Sequence, residues 1–202
     1  MLHVNTCCRQ ASAHLCPQQV LRLVEYVMEG FKTKQKTVAV FFDLAKAFDR
    51  VWHAGLSRSS ARLRPLSSPA YTNDITRPTS DVQLALFADD TALFFRSWTR
   101  RSIFRHLPKA IDELGQWSRK WRIEVNPDKS AAIQFKYSKN RSQLVVDRNT
   151  PNLKMLNARI PWQRSYKYLG VTLDKNLHFR EHIARVREER AFLHSKTRSH
   201  AR

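Results

Sequence analysis

Apolar positions change their period several times along the chain, and each change marks an element. Val20, Leu23, Val24, Val27, Met28 and Phe31 recur at steps of three and four. That is the spacing of one helix face, and Gly30 near its end reads as a stop. Thr37 to Phe42 is then an unbroken run, as in a strand covered on both sides. Two short apolar runs within Leu84–Phe95 predict a β-hairpin whose turn carries Asp89 and Asp90. Ile103, Leu107, Ala110, Ile111, Leu114, Trp117 and Trp121 return to helical steps. Because proline is tolerated in a first turn, this spacing predicts a helix from about Pro108 to Trp121. Ile123–Val125 and Ala132–Tyr137 read as strands joined by an Asn126-Pro127-Asp128 turn, with further strands at Gln143–Val146 and Tyr168–Leu173. Arg180–Phe192 reads as a basic helix with Ile183 and Val186 on its inner side. The order helix, strand, gap, hairpin, helix, strand predicts an α+β fold, an antiparallel sheet with helices packed on one face.

Composition narrows this to one core, since 202 residues at 42% hydrophobic leave little room for two. Residues 1–17 show no periodicity and read as an irregular lead-in, 18–190 as the domain, and 191–202 as a solvated basic tail. Cys7, Cys8 and Cys16 with His3 and His14 fit no usual zinc spacing. Three cysteines without a signal-peptide pattern argue against a disulfide framework, so a reducing intracellular compartment, nucleus or cytoplasm, is expected. No apolar run approaches the roughly 20 residues of a membrane span, so no membrane partner is expected. Charge points to a polyanion: 36 Lys and Arg face 17 Asp and Glu, a formal net charge of +19. Residues 96–202 hold 25 basic and 9 acidic residues, net +16, against net +3 for residues 1–95. That charge is either a phosphate-binding tract or a solvated face.

The candidate chemistry lies in the acids. Asp43 ends the buried run, and Asp89 and Asp90 sit between two others. If the strands are neighbours, three carboxylates converge, and such a group repels itself unless a cation joins it. Magnesium prefers oxygen ligands and few protein carboxylates. Two such ions about 3.5–4 Å apart form the clamp used in phosphoryl transfer. The other reading of Asp89-Asp90 is a solvated turn.

Phe41-Phe42-Asp43-Leu44-Ala45-Lys46-Ala47-Phe48-Asp49-Arg50-Val51-Trp52-His53 and Phe87-Ala88-Asp89-Asp90 resemble the first and third palm motifs of the reverse transcriptases of non-LTR (LINE-like, jockey-type) retrotransposons. Trp117 to Ser130 resembles the fourth motif and Tyr166 to Asp174 the fifth, in the same order. The resemblance implies a palm with a ferredoxin-like split βαβ core and the start of a thumb, acting as an RNA-directed DNA polymerase on an RNA template, a DNA primer and dNTPs. It implies that Asp43, Asp89 and Asp90 hold two Mg²⁺, with Mn²⁺ as a substitute. Phe48 would close under the nucleotide's sugar, where the residue alone reads as core packing. Lys129 would approach the leaving pyrophosphate as general acid, where a lone lysine is commonly solvated. Leu169 and Gly170 would form the primer-gripping turn.

The pattern departs from the family at Leu56–Pro69, a Ser/Arg-rich stretch standing where relatives have a longer segment with a Pro-Gln-Gly-Ser motif. Ala70-Tyr71-Thr72-Asn73-Asp74-Ile75 then resumes the resemblance. The simplest reading is an internal deletion, and the fingers that grip the triphosphate have no counterpart either. Three functional expectations follow: a polymerase impaired by these gaps, an inactive basic remnant that binds nucleic acid nonspecifically, and another palm polymerase or metal-dependent nuclease. Lys129 and Tyr168-Leu169-Gly170 speak against the third.

Overall fold

In the computed structural model of the chain, residues 15–43, 78, 80–87, 90–121, 123, 125–137, 145–146 and 150–199 are described. Strand β1 (Lys36–Asp43) buries Thr37 to Phe42 without interruption. It lies between β3 (Asp90–Ser97) and β4 (Asn126–Phe135), with β2 (Gln83–Phe87) outside β3, in a four-stranded sheet of order β2-β3-β1-β4. All three pairings are antiparallel. A strand paired on both edges and covered on both faces has no solvent side, which is why its sequence does not alternate. Helix α2 (Arg100–Lys120) connects β3 to β4 across β1, as in a split βαβ core.

The α+β class and the antiparallel sheet match expectation, but the helices divide between the two faces rather than packing on one. Val38, Val40 and Phe42 of β1 face α2, through Ile103, Leu107 and Ile111, and the hairpin β5 (Leu153–Met155) and β6 (Ala158–Ile160). Ala39 and Phe41 point the other way, toward Val20, Leu23 and Val27 of α1 (Leu15–Lys32) and toward the hairpin β7 (Ser165–Tyr168) and β8 (Val171–Asp174). Successive strand residues point to opposite faces, so a continuous apolar run requires cover on both.

Several boundaries differ from the sequence reading for local reasons. Helix α1 continues past Gly30 to Lys32. The glycine answers instead to a close approach, since a Cβ there would stand 2.5 Å from Thr37 Oγ1. Helix α2 begins two turns before Pro108, because Thr99 caps it by accepting from Ser102 N at 3.3 Å, and Ile103 and Leu107 are buried on the sheet. Strand β4 begins at Asn126 and so takes in the expected Asn126-Pro127-Asp128 turn, while Ile123 and Val125 precede it and belong to no strand; Asp128 N still donates to Asn126 Oδ1 at 3.1 Å. Tyr168–Leu173 is a hairpin rather than one strand. Val145 and Val146 are bends, and Gln143 and Leu144 lie outside the described residues. Helix α3 (Arg180–Ser199) runs beyond Phe192. Its expected inner side is largely open, with Ile183 45% exposed and Val186 half-buried. No helix among the described residues is long and apolar enough to cross a membrane.

Candidate active site

The last residue of β1 and the first of β3 are register partners, Asp43 opposite Asp90. Pairing of Phe87 with Asp90 ends the β2–β3 ladder at this same end of the sheet. The two apolar strands thus end together on their acids, as the sequence suggested. Asp89 itself lies outside the described residues, as do Phe48, Asp49, Leu56–Pro69 and the Cys/His group of residues 3–14.

Lys129 reaches this pair. Its Nζ stands 2.8 Å from Asp43 Oδ2, so one of the acids has a cationic partner within the chain itself. The reach follows from a register break. Phe41 pairs with Ala131 and Asp43 with Asn126, which leaves residues 127–130 of β4 opposite Phe42 alone. Ser130 Oγ donates to Asn126 O at 2.7 Å and fastens the base of this bulge. Bulges of this kind re-aim side chains, and here Lys129 turns back over the end of β1.

Tyr166 is a residue that the sequence reading did not single out. Its ring stacks on Phe41 with centroids 4.7 Å apart and planes 14° from parallel, and its hydroxyl donates to Lys129 O at 2.7 Å. Burial first, and then the charges of Asp90 and Asp43, push its phenol up to about 12. The available signal was the alternation of Tyr166 and Tyr168 in β7, which puts both rings against Phe41.

The β7–β8 hairpin turns on Leu169 and Gly170, at φ 47° and 82°. Two-residue hairpin turns require positive φ at such positions. Glycine suits position 170 for that positive φ and not for lack of space, since a Cβ there would meet nothing within 4 Å. Arg185 of α3 donates to Gly170 O and also faces Glu189 at 3.8 Å. The Gly170 carbonyl is therefore taken by Arg185, while Gly170 itself is exposed at the tip of the hairpin.

Asp43 and Asp90 offer hard oxygen donors on adjacent strands, the donor type that divalent cations such as magnesium take. Among the described residues no group of three or more His, Cys, Asp and Glu side chains gathers in one place.

Residues 61–173 match the family described as reverse transcriptase (RNA-dependent DNA polymerase). The chain belongs to this family. It is similar to the RNA-directed DNA polymerase from mobile element jockey of Drosophila melanogaster, at 26% identity over 224 residues, covering 87% of this chain and 24% of the relative. It also resembles the probable RNA-directed DNA polymerases from transposon X-element (25% identity, 87% of this chain, 24% of the relative) and transposon BS (27%, 84% and 24%), both of Drosophila melanogaster. The chain spans about a quarter of the length of these relatives. The jockey alignment, at 224 positions, is longer than the 202 residues of the whole chain, so it opens gaps in this chain.

Proposed function

We propose that the chain is the palm portion of a mobile-element RNA-directed DNA polymerase, adding dNTPs to a DNA primer on an RNA template. The pairing of Asp43 with Asp90 at the mouth of two buried strands carries this reading. Asp43, Asp90 and the adjacent Asp89 would hold two Mg²⁺, or Mn²⁺ in their place. Such ions stabilise the attacking and leaving oxygens of an in-line displacement. Around them the protein positions and neutralises. Lys129, whose ammonium stands beside Asp43, would approach the departing pyrophosphate and give it a proton. The Leu169–Gly170 turn would meet the primer, and Phe48 is assigned to the sugar of the incoming nucleotide.

A second reading, an inactive basic remnant that binds nucleic acid nonspecifically, is favoured by the short Leu56–Pro69 stretch and by the gaps in the alignment. Metals alone leave the nucleotide and template base unplaced, and orientation contributes roughly 7–11 kcal/mol of barrier lowering in well-arranged reactions. The 202-residue chain is therefore expected to extend a primer far more slowly than a relative with the longer segment. Primer extension with Mg²⁺, run beside Asp89→Asn and Asp90→Asn, tests this. Robust extension that disappears in both variants would establish the polymerase and remove the remnant reading; no extension, with nucleic-acid binding retained, would leave the remnant.

A further inference from the structure

We propose that Lys129 is a resident counter-ion for Asp43, held in place by Tyr166, which a divalent cation must displace in order to bind. The inference rests on the metal-holding reading of Asp43 and Asp90. Three observations carry it.

The first is the asymmetry of the ion pair. The Asp43 side chain is 16% exposed and that of Lys129 66%, at an N–O distance of 2.8 Å. The carboxylate is the fixed, sheltered partner, and the ammonium comes in from solvent on a flexible stem. Lysine is a compact, strongly hydrated charge. Its departure returns it to water at little cost, whereas Asp43 would be left beside Asp90 with no such refuge. An incoming cation of two charges replaces one charge on a tether.

The second is the stiffness of the segment that carries the lysine. The bulge of residues 127–130 is fastened by Asp128 N to Asn126 Oδ1 at 3.1 Å, by Ser130 Oγ to Asn126 O at 2.7 Å, and by Tyr166 Oη to Lys129 O at 2.7 Å. A solvated surface lysine needs none of these. With its backbone fixed, the ammonium has a defined place to return to when the cation leaves.

The third is where Tyr166 belongs. It is part of β7, two residues before the turn's flanking Tyr168, and its ring lies flat on Phe41, two positions from Asp43. The hydrogen bond from Tyr166 therefore joins the hairpin bearing Leu169 and Gly170 to the backbone of Lys129. Movement of that hairpin would be passed to the position of the counter-ion. Tyr166 is a positioning residue, acting through Lys129.

The test is Mn²⁺ titration of the full chain, reading free Mn²⁺ by electron paramagnetic resonance at fixed ionic strength, without nucleic acid. Lys129→Met should bind Mn²⁺ about three- to fivefold tighter than the wild type, the range an exposed ion pair supports. Lys129→Arg should restore the weaker wild-type affinity. Tyr166→Phe, which keeps the ring stack and loses the hydroxyl, should tighten binding about twofold. Asp43→Asn should weaken it in every background. Equal affinity in the wild type and Lys129→Met, with Asp43→Asn still weakening it, would overturn the counter-ion while leaving the metal-holding acids. An unchanged Tyr166→Phe beside a tighter Lys129→Met would remove Tyr166 from the proposal. No Mn²⁺ binding by any variant would overturn the metal-holding reading itself.

Discussion

Tyr166 shows how one residue reports on the charges around it. Its phenol is pushed up to about 12 by burial and then by Asp90 and Asp43, whereas in the unfolded chain it titrates near its ordinary value of 10.0. The folded state therefore holds this proton more tightly. The associated stability is fully present below about pH 10 and is lost as pH rises toward about 12. Replacing Tyr166 with Phe should flatten this part of the profile, so the difference in melting temperature between wild type and Tyr166→Phe should shrink or reverse between pH 9.5 and 11.5. A difference that stays constant over that range would show that neither burial nor the acids hold the phenol's proton in the folded state.

At the scale of the element, two helix residues make opposite and separable predictions. Gly30 lies inside α1, where Gly→Ala on an open helix gains about 0.5–1 kcal/mol. Here the new methyl would meet the Thr37 hydroxyl oxygen at 2.5 Å, and Thr37 is fully buried. Overpacking should win, and Gly30→Ala should destabilise by about 1–3 kcal/mol in urea unfolding. Pro108 sits in the middle of α2, where proline lacks the N–H that would bond to the carbonyl four residues earlier and crowds that carbonyl. Pro108→Ala should stabilise by about 1–2 kcal/mol, the helix gain of up to ~3 kcal/mol being offset in part by the greater freedom of the unfolded chain. Destabilisation instead would show that a bend at Pro108 is needed to lay α2 on the sheet. The helix persists around its proline because Thr99 caps it and Ile103 and Leu107 bury their side chains before the proline is reached.

Over the whole molecule the charge is distributed along the chain as the layers are. Residues 96–202 carry net +16, and these residues include α2, both later hairpins and α3. The acid pair lies at one end of the sheet, where β1 ends and β3 begins. Binding to duplex nucleic acid should be independent of sequence and should weaken steeply with salt, each neutralised phosphate adding about −0.9 to the log–log slope on DNA. Fluorescence anisotropy from 50 to 300 mM KCl would measure it. A flat response would assign the basic residues to a solvated face.

The sequence by itself determined which segments are buried and where the acids stand along the chain. Unbroken apolar runs that end on Asp43 and lead out of Asp90 announce strands covered on both sides, and the steps of Ile103 to Trp117 announce the face of α2. Such patterns are readable because burial imposes its period directly on the sequence. Register and cover were decided only in three dimensions. That Asp43 meets Asp90, that the β4 bulge returns Lys129 to Asp43, and that Tyr166 stacks on Phe41 and bonds the Lys129 backbone depends on pairing between segments more than thirty residues apart. The β5–β6 hairpin, whose turn is Leu156-Asn157 at φ 49° and 73°, carries no glycine to signal it and forms because Leu153, Met155 and Ile160 bury against the sheet and α2. Local pattern records what a residue avoids, namely water. Which partner relieves that avoidance is a property of the assembled sheet.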